Sequence, residues 1–227
     1  MKIKGIFAFI LPLFISCNNN QQPAGTATMD TTGTKDTTVT NTAVKTIVFF
    51  GNSLTAGYGI EPAQAFPALI QQKLDSLRLP YKVVNAGVSG ETSSGGNARV
   101  DWILRQPPDI FVLELGANDG LRGIPLNETK KNLQSIIDKV KAKNPAAIII
   151  IAGMMMPPNM GEQYTTQFRS IYPDLAKENK LPLIPFLLKG VGGEANLNQQ
   201  DGIHPTPEGH RVVAQNVWEI LKENVRM

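Results

Sequence analysis

The stretch Ala147-Ile148-Ile149-Ile150-Ile151-Ala152 is apolar at every position. A strand with one wet face alternates apolar and polar residues. An unbroken run of this length belongs to a central strand covered on both sides. Four further strand-like runs stand around it, at Thr46–Phe50, Tyr81–Asn85, Ile110–Leu115 and Leu183–Pro185. Between them lie stretches with apolar residues at three-to-four spacing, as a helix face requires. Phe66–Leu77 carries Phe66, Leu69, Ile70, Leu74 and Leu77, and Asn127–Lys143 carries Leu133, Ile136, Ile137 and Val140. Tyr164–Asn179 carries Phe168, Ile171, Tyr172 and Leu175. A last helix starts at Thr206 as N-cap with Pro207 at its first position, and runs to about Asn224. Strands alternating with helices predict a parallel sheet flanked by helices. The expected fold is α/β, a three-layer α/β/α sandwich on a five-stranded parallel sheet.

The 227 residues suffice for one domain with a sizeable core, and 42% apolar residues suit a globular protein. The net charge is +3, and without Lys2 and Lys4 it is +1. That gives no electrostatic footprint for nucleic acid. Lys2 and Lys4 precede an apolar run, Gly5–Ile15, too short to span a bilayer as a helix. A basic start and a short apolar stretch make the pattern of a secretion signal. The single cysteine, Cys17, stands where that run ends. The segment resembles a bacterial lipoprotein signal, which implies cleavage before Cys17 and a lipid on its thiol; plain secretion with a free thiol is the other reading. Residues 18–43 are rich in Asn, Gln, Thr and Gly, a composition that cannot bury enough surface to offset ordering. The expected organisation is a signal over 1–16, a tether over 17–43 and one domain over 44–227. It places the protein at the cell envelope, anchored in a membrane or soluble in the periplasm.

Ligands of open parallel sheets bind beyond the C-terminal ends of the strands. The unusual motifs fall there: GNSLTAGYG from Gly51, NAGVSGETSSGG from Asn85, and GANDG from Gly116. Ser53 follows the first strand in a turn opened by Gly51. Taken alone such a serine reads as a helix N-cap; the other motifs at the same strand ends turn the reading to a nucleophile whose turn points N–H groups at its target. Near the C-terminus, Asp201-Gly-Ile-His204-Pro205 puts a carboxylate three residues from an imidazole, and Pro205 keeps His204 out of a helix. Asp201 can fold back onto one ring nitrogen and leave the other to take a serine proton. The same pair could merely cap the final helix. His210, the only other histidine, has no such partner and reads as a surface or packing residue. Gly87 permits close approach of backbone to ligand, and Asn118 carries an amide donor. Both also suit ordinary turns. With one cysteine and two histidines no metal cluster of the usual kind is available, and no P-loop is present.

Together, GNSLTAGYG, the glycine of NAGVSGET, GANDG and DGIHP resemble the four signature blocks of the SGNH hydrolases, also called GDSL esterases and lipases. The likeness reaches from about Thr46 to Leu221. It is closest to the bacterial branch of periplasmic thioesterases, lysophospholipases and arylesterases, through GANDGLRG, MPPNMGEQYTTQF and IYPDLAKENKLPLIPF. The resemblance implies a flavodoxin-like sandwich and a serine esterase needing no cofactor. It implies Ser53 as nucleophile, Asp201 and His204 as its partners, and the Ser53 N–H, Gly87 and Asn118 as oxyanion donors. A small-molecule ester is then the substrate. One departure is visible: the family usually has aspartate where this chain has Asn52. The chain also lacks the GxSxG elbow of α/β-hydrolases. Loops Met154–Gly161 and Leu188–Gln200 are expected to select the acyl group. Met154, Met155, Met156 and Met160 either wall that site or close the core. A carbohydrate O-acetylesterase and a catalytically silent binding lipoprotein are the alternative functions.

Overall fold

A computed structural model describes residues 43–226. Five parallel strands form one sheet in the order β2-β1-β3-β4-β5. They are β1 Lys45–Gly51, β2 Tyr81–Gly87, β3 Ile110–Glu114, β4 Ile148–Ala152 and β5 Leu183–Ile184. Every residue of β3 is buried, and all of β4 but its first, because helices cover both faces. The β-branched isoleucines of β4 suit that pleated, closed environment. Seven α-helices and two short 3-10 helices, Pro62–Gln64 and Pro158–Met160, complete the described residues; the α-helices are α1 Ser53–Ala56, α2 Phe66–Ser76, α3 Ser93–Ile103, α4 Ala117–Leu121, α5 Leu126–Lys143, α6 Glu162–Asn179 and α7 Pro207–Leu221. On one side α2 packs on α7; on the other α5 packs on both α3 and α6. Helix α7 starts as its sequence demands, with Thr206 Oγ1 accepting from Gly209 N–H at 3.2 Å.

The strands and the longer helices agree with the sequence reading to within a few residues. The second loop differs. Ala86 and Gly87 extend β2 beyond the expected Asn85, and from Ser93 the chain is helical, so the connecting loop is only 88–92. Its helix α3 begins with Ser-Ser-Gly-Gly, poor helix formers, yet Thr92 caps it by accepting from Gly95 N–H at 3.2 Å. Gly96 has no room for a side chain, since a Cβ would collide with Leu115. No described helix is long and apolar enough to cross a membrane. Cys17, the signal and the tether lie outside the described residues.

Strand order reverses between β1 and β3, whose neighbours run outward in opposite senses. Crevices at such a switch point receive ligands in open α/β sheets. The loops after β1, β2 and β3 open there.

Candidate active site

Ser53 opens α1 immediately beyond β1 and is 8% exposed. Asn52 caps that short helix, its Oδ1 accepting from Leu54 N–H at 2.9 Å. His204 approaches from the loop before α7, with Nε2 2.9 Å from Ser53 Oγ. Its Nδ1 lies 2.7 Å from Asp201 Oδ2. Asp201 Oδ1 accepts from the N–H of Ile203 and of His204, both at 3.0 Å. These bonds, the one from His204 foremost, hold the Asp201 carboxyl down at about 2. Asp201 is therefore an anion at neutral pH, and an anion at Nδ1 fixes the tautomer that leaves Nε2 free to accept a proton. The ring of Tyr58 packs on His204 with centroids 4.7 Å apart. Gln199 ties the two loops, donating from Nε2 to Tyr58 O at 2.7 Å and to Pro205 O at 3.1 Å.

Beside this chain of bonds opens a pocket of about 520 Å³, lined by Ser53, His204, Asn118, Ser89 and Gly90 among others. Met154, Met155, Met156, Phe186, Leu188 and Ile203 contribute apolar wall. Met154 and Met156 are also nearly buried, so they close the core and wall the pocket at once. Asn118 Nδ2 donates to Glu91 O at 3.0 Å, which leaves its second amide hydrogen for a ligand. Glu91 is in turn held by the Arg99 guanidinium at 2.5 Å.

Gly87 does not join them. Its N–H donates to Asn85 Oδ1 at 3.0 Å, and it does not line the pocket. A Cβ there would collide with the backbone of Ala56, so Gly87 serves to let β2 approach α1. Three residues on, Gly90 lines the pocket at φ 78 and its N–H donates to no described residue. The Asn-Ala-Gly and Ser-Gly turns look alike in sequence; only the path of the loop separates them.

His210 is buried, not at the surface. It is 1% exposed, its Nδ1 accepts from Phe66 N–H at 3.2 Å, and its ring stacks on Phe66. Glu114, at the end of β3, is 1% exposed beneath Ser53's turn. Burial pushes its carboxyl up to about 7 against the pull of Thr55 and Asn52. Sequence reasoning passed over it, although one glutamate in the run Phe-Val-Leu-Glu-Leu is itself a flag. Among the described residues no His, Cys, Asp and Glu gather in a group able to hold a metal ion.

A model of the GDSL-like lipase/acylhydrolase family matches residues 49–212, the span from β1 to α7 that builds this site. The chain belongs to that family. The GDSL-like relatives include the esterase TesA of Pseudomonas aeruginosa, 39% identical over 79% of this chain and 89% of that protein. The Escherichia coli K12 protein named thioesterase 1/protease 1/lysophospholipase L1 is 40% identical over 76% of this chain and 81% of its own. A crystal structure of TesA superposes with TM-score 0.76 at 39% identity, over 79% of this chain and 99% of that one. Membership in the GDSL-like family with such relatives makes the chain a carboxylic ester hydrolase.

Proposed function

We propose that the chain cleaves carboxylic esters and thioesters through Ser53, His204 and Asp201 by way of an acyl-enzyme. The observation that carries this reading is the unbroken hydrogen-bonded path from Asp201 through His204 to Ser53 Oγ. Ser53 Oγ attacks the carbonyl carbon as His204 Nε2 takes its proton. The oxyanion receives hydrogen bonds from Asn118 Nδ2 and the N–H groups of Ser53 and Gly90. His204 then protonates the leaving alcohol or thiol. Water attacks the acyl-enzyme by the same route in reverse and frees the acid. The largely apolar pocket and the names of the relatives favour acyl chains of some length over acetyl groups. A leader ending at Cys17 supports export with a lipid on that cysteine. Mass spectrometry of the N-terminal peptide from membranes tests it; a free, uncleaved Cys17 would reject the anchor.

The test is hydrolysis of p-nitrophenyl esters from acetate to palmitate by the full chain beside Ser53→Ala. Loss of activity in the variant, with a best chain length beyond acetate, is expected. Acetate preference with acetylated sugars as substrates would favour the O-acetylesterase reading. A folded chain no faster than its Ser53→Ala variant would favour a binding protein.

A further inference from the structure

Glu114 takes no part in the path just described, yet the turn that carries Ser53 is built around it. No described lysine, arginine or histidine forms an ion pair with its carboxylate. All of its hydrogen-bond donors come from two residues of that turn. Asn52 Nδ2 donates to Oε1 at 2.7 Å, while Asn52 N–H at 3.1 Å and Thr55 Oγ1 at 2.8 Å donate to Oε2. Gly51, paired with Glu114 across β1 and β3, lacks a side chain where a Cβ would collide with Glu114 Oε2 and Thr55 Oγ1. Residues 51–55 therefore wrap one buried acceptor. With its Nδ2 committed to Glu114, Asn52 must turn Oδ1 the other way, onto Leu54 N–H at 2.9 Å and to 3.5 Å from Ser53 Oγ.

Burying a carboxylate without a cation is costly, and an apolar side chain would fill the space for packing alone. We propose that Glu114 is a positioning residue: acting through Asn52 and Thr55, it holds the Ser53 turn so that Oγ stays within reach of His204 Nε2. The proposal rests on the reading of Ser53 as nucleophile.

Its chemistry makes the test specific. Glu114→Gln keeps shape but sets an amide N–H₂ against a donor of Asn52. The double variant Asn52→Asp/Glu114→Gln reverses the polarity of that pair. The amide introduced on β3 would then donate to one oxygen of the new carboxylate, whose other oxygen still accepts from Leu54 N–H. The carbonyl oxygen of the same amide would accept from the residue-52 N–H and from Thr55. A p-nitrophenyl ester, with kcat and KM measured separately on the full chain, is the probe.

For Glu114→Gln the expected result is kcat about 10²-fold down, the scale of a misplaced reacting group, with KM little changed. The double variant recovers most of that loss. Wild-type kcat in folded Glu114→Gln would overturn the proposal. So would a folded double variant as slow as the single one, since hydrogen bonds restored in reversed polarity would then have failed to restore the position of Ser53. If the single variant fails to fold, the double variant decides by itself: active supports the proposal, folded and inactive overturns it. Wild type no faster than Ser53→Ala would instead bring down the reading of the site.

Discussion

Acidification should weaken this fold through His210. The imidazole lies between α2 and α7, 1% exposed, and its Nδ1 is the acceptor for Phe66 N–H at 3.2 Å. Burial first, and the neighbouring charge of His204 second, push its pKa from 6.5 down to about 4. Protonated, the ring has no lone pair for Phe66, and a charge sits between two helices. Between pH 6.5 and 4 the unfolded chain binds a proton that the folded one refuses, so stability rises with pH there. The contribution is fully present above 6.5 and lost as pH falls toward 4. At about 1.4 kcal/mol per pH unit, that gap is worth about 3 kcal/mol. Glu114 works in the opposite direction over nearly the same window, so the wild-type curve alone would mislead. The informative quantity is the difference between wild type and His210→Gln, from urea unfolding followed by tryptophan fluorescence at about pH 7 and about pH 4. The stability advantage of wild type should shrink by about 3 kcal/mol on going to the lower pH. An advantage that stays constant would refute the assignment of a neutral, buried His210.

Glu114 carries a stability prediction separate from its role under Ser53. Its carboxyl is raised from 4.5 to about 7, so its contribution is present below pH 4.5 and lost as pH rises through 7. Relative to wild type, the polarity-reversed double variant with Glu114→Gln moves that cost onto residue 52, while Glu114→Leu with Asn52→Ala removes it. The latter should gain about 3 kcal/mol between about pH 4.5 and about pH 8 in calorimetry, while losing activity. Asn118→Ala removes one of the donors proposed for the oxyanion and should lower kcat about 10²–10³-fold in the p-nitrophenyl assay with little change in thermal midpoint. Gly87→Ala drives a methyl group into the backbone of Ala56 and should displace Ser53's helix. Slower fluorophosphonate labelling together with a lower midpoint is expected, and wild-type behaviour in both would contradict the packing.

The sheet was legible because β1, β3 and β4 are apolar runs that only a two-sided core explains. Helices α5, α6 and α7 were legible because their buried residues keep helical spacing, as Leu133, Ile136, Ile137 and Val140 do in α5. Helix α3 was not, because its buried face is made by Ser93, Gly96 and Val100, with glycine present for lack of room against Leu115. That reason exists only after folding. The Asp201–His204 pair was readable because both partners sit in one turn. Gly87 lies off the pocket and Gly90 on it because the loop's path beyond β2 decides which N–H is free, and sequence alone does not show that path. The burial of His210 depends on Phe66, 144 residues away, and Glu114 meets its donors across 59 to 62 residues. No local pattern encodes such meetings.

Gln199 and His204 come from the far end of the chain, and His204 lies 151 residues beyond Ser53. The fifth strand ends at Ile184, while both histidines follow it in sequence. A growing chain that has reached Ile184 thus holds the whole sheet and the serine, but no imidazole at all. In the mechanism proposed above, hydrolytic competence arrives only when the last segment threads its loop over Tyr58 and α7 seats on α2. On that mechanism turnover is a report of completion: a nascent or clipped molecule that ends before His204 is expected to be chemically silent, however much of its sheet has formed.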